Sequence, residues 1–264
     1  MKLTNIFSML GGLALFLYGM NMMSNGLELA AGNKMKTILE KLTSNRILGV
    51  LVGALVTAII QSSSATTVMV VGFVNSGLMS LTSAVWVIMG ANIGTTITGQ
   101  LIAIDITAIA PLIAFIGVAM IVFFKSKKLD AFGSVIGGLG ILFIGMETMS
   151  NAMVPLRTMP EFVGLISKFQ NPFIGILVGA LFTALIQSSS ASVGILQALA
   201  KSGVMTLSSS IYVLFGQNIG TCITAVLASI GTGRNAKRTT IIHFVMQFIL
   251  QLQLYPQSTR HKTP

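Results

Sequence analysis

The chain has 264 residues, of which 53% are hydrophobic and only 8% are charged. Soluble globular domains carry about 25% charged residues, so this composition excludes that class and indicates an integral membrane protein. The net charge of +10 comes from short basic clusters between apolar runs, which is not the pattern of a nucleic-acid-binding surface. The single cysteine excludes an intrachain disulfide.

The first predicted element is an apolar segment at residues 5–24, close to the ~20 residues that one membrane crossing requires. Its position would also suit a cleaved signal peptide. However, a copy of this segment occurs at residues 131–150, where a signal peptide has no reason to be. We therefore interpret both segments as membrane spans, related by an offset of 126 residues.

A polar stretch at residues 28–46 carries periodic apolar residues and predicts an amphipathic surface helix. The apolar stretch that follows, at 47–78, is too long for one crossing, and its polar centre divides it into pieces too short to cross separately. We predict a re-entrant helical hairpin whose tip is this centre. We name the centre the first polar cluster; it consists of Gln61, Ser62, Ser63 and Ser64.

Residues 83–104 have the length of one crossing but contain glycines and small polar residues at 90–96, which favour a local break. We predict a broken transmembrane helix here, and a last span at 107–124 that ends in a basic group. The alternative role for Asn92, and for Asn218 in the second half, is to cap a half-helix.

The pairs Gly49/Gly53 and Gly175/Gly179 have G-x-x-x-G spacing and are expected to allow close helix packing.

The second half repeats this pattern at the same offset. Residues 48–66 and 174–192 are identical at fourteen of nineteen positions, whereas unrelated apolar segments would share roughly one or two. The repeat predicts a hairpin at 173–204, a broken helix at 209–230 and a final span at 239–255. Glutamines interrupt the final span and residues 256–264 form a polar tail, so we expect an altered or truncated C-terminus. The second polar cluster consists of Gln187, Ser188, Ser189 and Ser190.

Each predicted half crosses the membrane an odd number of times, which inverts the second half relative to the first. The predicted fold class is therefore an all-α integral membrane protein with two inverted-topology repeats, at residues 1–128 and 129–255. With the N-terminus outside, ten of the sixteen Lys and Arg residues lie in the cytoplasm, in agreement with the positive-inside rule. The two hairpins then enter from opposite sides, so that their tips can meet near the midplane.

Interrupted helices in inverted repeats are the architecture of many secondary transporters. Hydroxyl, amide and backbone carbonyl oxygens at the breaks suit a small hard cation, while hydroxyls and helix N-termini suit an oxyanion. No Lys or Arg lies in the middle of a span, so an anion would need co-bound cations, which favours sodium coupling. Asp105 and Glu147 lie near the ends of spans, which argues against a proton relay. The alternative reading of the serines is helix packing alone.

At these residues the chain resembles the sodium-dependent phosphate cotransporter family, that is, the type II transporters and their bacterial relatives. The resemblance rests on the two polar clusters with the residues that follow them and on two Asn-Ile-Gly-Thr segments, and it covers roughly residues 11–243. It implies inverted repeats whose signatures line the sodium and phosphate sites. Many bacterial relatives carry a PhoU-like domain after the membrane part, and we expect this chain to lack it. Carried over by position, the implied binding residues are Gln61, Ser62, Ser63, Ser64, Thr66, Asn92, Thr95, Gln187, Ser188, Ser189, Ser190, Ser192, Asn218 and Thr221.

The predicted function is secondary active transport, namely sodium-coupled phosphate symport across the cytoplasmic membrane by alternating access. Sodium is the coupling ion, and neither a cofactor nor an enzymatic activity is expected, because no acid/base pair, activated nucleophile or metal cluster is visible. The expected partners are inorganic phosphate, sodium ions and the lipid bilayer; nucleic acid is not expected, and a homo-oligomer is left open. The alternatives are a carrier or exporter of another small anion, and a non-transporting membrane scaffold. A carboxylate substrate is disfavoured because no membrane Arg is present to bind it.

Overall fold

The computed structural model describes residues 3–31, 38, 45–104, 106–124 and 126–260, with side chains as far as Gln251. The described residues contain helices and no strand, as the all-α prediction requires. Twelve α-helices lie within them: α1 Leu3–Ala31, α2 Arg46–Ile60, α3 Ser63–Asn75, α4 Leu81–Ala103, α5 Ala110–Phe123, α6 Lys127–Met153, α7 Pro160–Ser167, α8 Pro172–Ile186, α9 Ser189–Lys201, α10 Leu207–Gly220, α11 Cys222–Ala228 and α12 Arg234–Arg260.

The sequence repeat reappears in the helix boundaries. Adding 126 to the ends of α2 and α3 gives the ends of α8 and α9, and the starts of α4 and α10 are related in the same way. The local cause is shared capping chemistry. Asn45 and Asn171 each accept a hydrogen bond from the backbone N–H two residues ahead, at 3.0 Å, and so begin α2 and α8.

Four helical segments are long and apolar enough to cross a membrane, and a fifth if a strongly bent pair is counted as one span. The four are Leu3–Ala30, Leu81–Ala103, Lys127–Thr158 and Leu207–Ala228. The protein is therefore a multi-pass membrane protein. The predicted last span of the first half is a helix at Thr107–Phe123, which is apolar but short, and the predicted final span lies within the long but more polar α12.

The prediction of a broken helix at residues 90–96 is wrong, because α4 runs without interruption from Leu81 to Ala103. Its glycines serve close packing instead: a Cβ at Gly90 would overlap the carbonyl oxygen of Val50 on α2. The Thr95 hydroxyl donates to the Ala91 carbonyl at 3.0 Å, so this polar side chain is satisfied within the helix. In the second half, the corresponding segment is interrupted only at Thr221, between α10 and α11.

Asn92 and Asn218 cap no helix, so the capping alternative is wrong as well. Asn92 lies inside α4, and Asn218 lies two residues before the end of α10.

The G-x-x-x-G prediction is confirmed. A Cβ at Gly53 would overlap the backbone of Val87 on α4, and a Cβ at Gly179 would overlap the backbone of Val213 on α10. The α2–α4 and α8–α10 pairs are thus the tight helix pairs of the two halves.

Among the described residues, the contact between α1 and α6 is the most extensive between any two helices. Glycines on both helices allow their backbones to touch; a Cβ at Gly19 would overlap the backbone of Leu142. The buried side chains of Phe16, Phe143 and Met146 fill the adjoining core. Phe16 also packs against Gly194 on α9, so this core supports the second polar cluster at the start of α9.

The amphipathic helix predicted at 28–46 lies mostly outside the described residues, although α1 extends as far as Ala31. In the second half, α7 and a short 3-10 helix precede α8, and the chain turns by 103° between Pro160–Gln170 and Pro172–Ile186. The sequence analysis did not predict α7.

Candidate functional site

The site begins with two unusual residues, Gln61 and Gln187. Both have a left-handed backbone, with φ values of 58° and 59°, and they are the only non-glycine residues with positive φ in the described part of the chain. Each N–H donates the last helical hydrogen bond, to the carbonyl oxygen four residues earlier at 2.7 Å, and the left-handed backbone then ends the helix. Each polar cluster therefore starts with a break between two helices rather than with a continued helix.

The serine after each glutamine starts the next helix. The Ser62 hydroxyl accepts a hydrogen bond from the Ala65 N–H at 3.1 Å, and the Ser188 hydroxyl accepts one from the Ala191 N–H at 3.3 Å. These N-caps leave the first N–H groups of α3 and α9 without an acceptor inside the helix. A helix C-terminus and a helix N-terminus thus meet at each cluster, and they carry partial negative and partial positive charge, respectively.

The structure brings the two polar clusters together. All eight of their residues line one cavity of about 230 Å³, which we call the tip pocket. Three residues of α1, namely Met20, Asn21 and Ser24, complete its wall. The Ser24 hydroxyl donates to the carbonyl oxygen of Ile60 at 2.6 Å and so ties α1 to the last residue of α2.

A second space of about 580 Å³, the large cavity, adjoins the tip pocket. Ser63, Ser189 and Ser190 line both spaces and form the boundary between them. The remaining wall of the large cavity is mostly apolar, with polar groups from α4, α9, α10 and α12. Four of the sequence-predicted binding residues lie on this wall: Asn92, Thr95, Asn218 and Thr221.

Two predicted binding residues, Thr66 and Ser192, line neither cavity. Both are fully buried, one turn further along α3 and α9 than the clusters. The Thr66 hydroxyl accepts a hydrogen bond from Thr57 at 2.9 Å and donates one to the Ser62 carbonyl at 3.1 Å. Thr66 therefore links the last turn of α2 to the start of α3 through these two hydrogen bonds.

The two glutamines differ in their surroundings. The side chain of Gln61 is buried; its Oε1 accepts a hydrogen bond from Thr98 at 2.8 Å, and its Nε2 donates to the carbonyl oxygen of Ala58. Gln187 is exposed, and Thr224, its counterpart of Thr98, donates to the nearby Thr221 carbonyl instead. The first cluster is thus fixed by protein contacts, while the amide of the second is free to reach into the tip pocket.

The chain matches a family of known proteins over most of its length. The family model described as Na+/Pi-cotransporter matches residues 15–151 and 158–261, which include both polar clusters and the helices that carry them. The chain belongs to the Na+/Pi-cotransporter family. This family consists of transporters rather than enzymes.

Three proteins with similar sequences show how far the similarity extends along each chain. YqeW of Bacillus subtilis is 34% identical over 89% of this chain and 76% of its own length. A putative inorganic phosphate export protein, YjbB of Salmonella typhimurium, is 28% identical over 94% of this chain but only 46% of its own length. Sodium-dependent phosphate transport protein 2A of Rattus norvegicus is 40% identical over 39% of this chain and 16% of its own length. No solved structure matches the chain.

Sequence reasoning missed several polar residues of this Na+/Pi-cotransporter family member. Asn21 and Ser24 lie about one turn apart on α1, directly after the pair Gly19-Met20, which recurs as Gly145-Met146 at the offset of 126. This repeat is a signal that could have placed them at the site. Gln197 on α9 and Gln247 and Gln251 on α12 line the large cavity. The two α12 glutamines were interpreted as interruptions of an apolar span, because sequence alone does not show which side of a helix faces a cavity.

Both spaces lack charged side chains among the described residues that line them. Within the same part of the chain, no group of three or more His, Cys, Asp or Glu residues could hold a metal ion. Glu147 is exposed on α6, and Asp105 lies outside the described residues. His243 is buried on α12 and lines neither space. Any ion in the tip pocket would therefore meet neutral oxygens, amide groups and helix termini.

Proposed function

We propose that the protein catalyses sodium-coupled symport of inorganic phosphate across the cytoplasmic membrane by alternating access. The observation that carries this proposal is the tip pocket, in which both copies of the Gln-Ser-Ser-Ser sequence meet in one space of about 230 Å³. A duplicated sequence that converges on one small polar cavity is suited to a small ion rather than to a large organic substrate.

The anion would bind to the start of α3 and α9. Their first N–H groups and the hydroxyls of Ser63 and Ser189 are hydrogen-bond donors, and two helix N-termini together favour an oxyanion. Because no Lys or Arg lines the pocket within the described residues, phosphate would keep a large uncompensated charge unless cations bind with it. Sodium ions coordinated by neutral oxygens supply that charge, and no resident cofactor is needed.

The two cavities that share Ser63, Ser189 and Ser190 as lining residues support the proposal of alternating access. In the proposed mechanism, residues 1–128 and 129–255 form inverted repeats, and α2–α3 and α8–α9 are re-entrant hairpins that enter from opposite sides. Equal helix boundaries in the two halves support this symmetry. Movement of the hairpin tips relative to the rigid α1–α6 pair would then expose the tip pocket to each side in turn.

The test is uptake of labelled phosphate by proteoliposomes that contain the purified full chain. An inward sodium gradient should drive uptake above the level seen with an equal choline gradient, and collapse of the sodium gradient with an ionophore should abolish the difference. Phosphate uptake that is equal in sodium and choline would contradict sodium coupling, and no uptake beyond empty liposomes would contradict transport.

The second candidate is net export, and the name of the YjbB relative favours it. In a coupled carrier the two ion gradients decide the direction, so an exporter needs no different site. Proteoliposomes loaded with labelled phosphate and diluted into sodium-free buffer distinguish the cases. Efflux that depends on internal sodium supports a reversible carrier, whereas efflux that ignores sodium on both sides supports an uncoupled exporter.

Other small anions and a scaffold role make different predictions in the same assay. A phosphate ester or a carboxylate as the true substrate would compete with labelled phosphate at lower concentration than unlabelled phosphate does. A non-transporting scaffold predicts that Ser63→Ala and Ser189→Ala leave every measured activity unchanged.

A further inference from the structure

Five buried side-chain oxygen atoms in the second half have no hydrogen-bond partner within the described part of the chain, and two of them, on Gln197 and Gln251, belong to residues that line the large cavity. The other three belong to residues that line neither cavity. They are the Thr183 hydroxyl on α8, the Ser192 hydroxyl on α9 and the Gln217 side-chain carbonyl on α10. The three residues are 0%, 0% and 1% exposed, respectively. Polar atoms buried this deeply are nearly always paired, so this group indicates a missing ligand.

The three residues lie where α8, α9 and α10 meet. The Gln217 Nε2 donates to the backbone carbonyl of Ser192 at 3.0 Å, which joins α10 to α9. A Cβ at Gly179, one turn before Thr183, would lie 3.0 Å from the Gln217 N, so α8 and α10 are in close contact at this level.

In the first half, the two residues that correspond to Thr183 and Ser192 face each other. Thr57 and Thr66 correspond to Thr183 and Ser192 at the offset of 126, and their hydroxyl oxygens are 2.9 Å apart. Because α2 and α3 have the same boundaries as α8 and α9, Thr183 and Ser192 occupy the equivalent positions of the second half, but their hydroxyls do not form a hydrogen bond with each other.

The two halves differ in what fills this place. In the first half, Thr57 donates to Thr66, Thr66 donates to the Ser62 carbonyl, and the position of Gln217 is occupied by Ala91. That chain of hydrogen bonds is closed. In the second half a glutamine adds a carbonyl oxygen, and neither hydroxyl makes a hydrogen bond. The open oxygens are therefore a property of the second repeat and not of the fold in general.

The chemistry of the group selects a cation of single charge. Because the Gln217 Nε2 donates to the Ser192 carbonyl, the Gln217 Oε1 is turned away from that carbonyl. A side-chain carbonyl oxygen can only accept a hydrogen bond or coordinate a cation. Helices α8, α9 and α10 contain no Asp or Glu, whereas divalent cations are bound by sites that include carboxylates. Thr183 also lies in the last turn of α8, where the helix dipole favours positive charge.

We propose that Thr183, Ser192 and Gln217 hold one sodium ion, one helical turn behind the wall of the tip pocket. This proposal rests on the sodium coupling proposed above. Ser189 and Ser190 lie in the first turn of α9, three and two residues before Ser192, and they line both cavities. A sodium ion that joins α8, α9 and α10 would fix this first turn, and so order the phosphate-binding end of α9 before phosphate arrives.

The test is equilibrium binding of radioactive sodium to the purified full chain, with choline keeping the ionic strength constant. Thr183→Val and Gln217→Ala should each remove one bound sodium ion or weaken its binding at least about tenfold. Thr183→Ser keeps a hydroxyl and should retain the ion. The matched control is Thr57→Val in the first half, which should retain the number of bound sodium ions because its hydroxyl pair forms no open site.

Folding is checked independently by the thermal midpoint of each variant in choline alone. Sodium should raise that midpoint less in Thr183→Val and Gln217→Ala than in the unchanged protein. Unaltered sodium binding in both variants would overturn the proposal and assign the place to a buried water molecule. If the unchanged protein binds no sodium at all, the proposed function itself fails, which is a different result.

Discussion

At the scale of single residues, Ser63, Ser189 and Ser190 occupy the boundary between the tip pocket and the large cavity. An ion that passes between these spaces must come within reach of their hydroxyls. Ser63 and Ser189 are also the first residues of α3 and α9, so each contributes a hydroxyl and an unpaired backbone N–H to the same place.

Removal of either hydroxyl should therefore impair transport. We expect Ser63→Ala and Ser189→Ala each to reduce sodium-driven phosphate uptake about tenfold or more, because a hydrogen bond to a charged group contributes about 1.5–3 kcal/mol. The measurement is the initial uptake rate in proteoliposomes. Ser76→Ala is the matched control, since Ser76 is exposed at the opposite end of α3 and bonds only to the Phe73 carbonyl. Equal uptake by all three variants would contradict the assignment.

The buried contact between Thr98 and Gln61 permits a second prediction at this scale. Thr98→Val removes the donor to the Gln61 Oε1 and leaves a buried oxygen unpaired, so it should destabilise the fold by about 1–3 kcal/mol. Thr224→Val, the same change in the second half, breaks only a local bond to Thr221 and should cost less. The thermal midpoints of the two variants measure this difference. An equal decrease in both midpoints would show that the hydrogen bond from Thr98 to Gln61 contributes no extra stability.

The sequence distinguishes the residues of the two polar clusters because their identity repeats, and the structure places all eight around one cavity. It did not predict Asn21 or Gln251, since a single polar residue in an apolar helix carries no information about which neighbours it meets. Their membership of the cavity walls is a property of tertiary packing. The same limit applies to Thr66, whose hydroxyl has the right chemistry for a ligand but is already used in two hydrogen bonds.

At the scale of helices, glycines decide how closely the tight pairs approach. Gly90 and Gly216 correspond at the offset of 126, and a Cβ at either would overlap a carbonyl oxygen, that of Val50 or Ile176, respectively. This explains the error at residues 90–96. Glycine and small polar residues are typical both of breaks and of close helix packing, and sequence alone does not separate these two causes.

We therefore expect Gly90→Ala to push α2 away from α4, and Gly216→Ala to push α8 away from α10. Each substitution should lower the free energy of unfolding by roughly 1–3 kcal/mol. Gly72→Ala is the control, because a Cβ at Gly72 in α3 has no atom within 4 Å. That change should be neutral or should stabilise α3 by up to about 1 kcal/mol. Thermal unfolding in one detergent would measure all three, and a destabilised Gly72→Ala would contradict the packing explanation.

At the scale of the whole molecule, the offset of 126 residues predicted equal helix boundaries in the two halves, and these are observed for α2, α3, α8 and α9. The convergence of the two clusters depends on the α1–α6 contact and on how α9 packs against Phe16. Such long-range contacts are not encoded in hydrophobic periodicity. The inverted orientation of the halves in the membrane stays a prediction.

Chemical labelling tests that orientation. Asn75 and Lys201 correspond at the offset of 126, and both are exposed at the ends of α3 and α9. In a Cys222→Ser background, Asn75→Cys should react with an impermeant maleimide from the cytoplasmic side and Lys201→Cys from the outside. Reaction of both cysteines from the same side would exclude inverted repeats.

The most direct test of a single shared site uses the same background with a cysteine in each cluster. In Ser64→Cys and in Ser190→Cys, sodium and phosphate together should slow modification by a small thiol reagent several-fold, whereas choline with phosphate should not. Because both positions line the tip pocket, one bound phosphate must shield both. Protection at only one cluster, or at neither, would contradict the claim that the two clusters bind one phosphate ion.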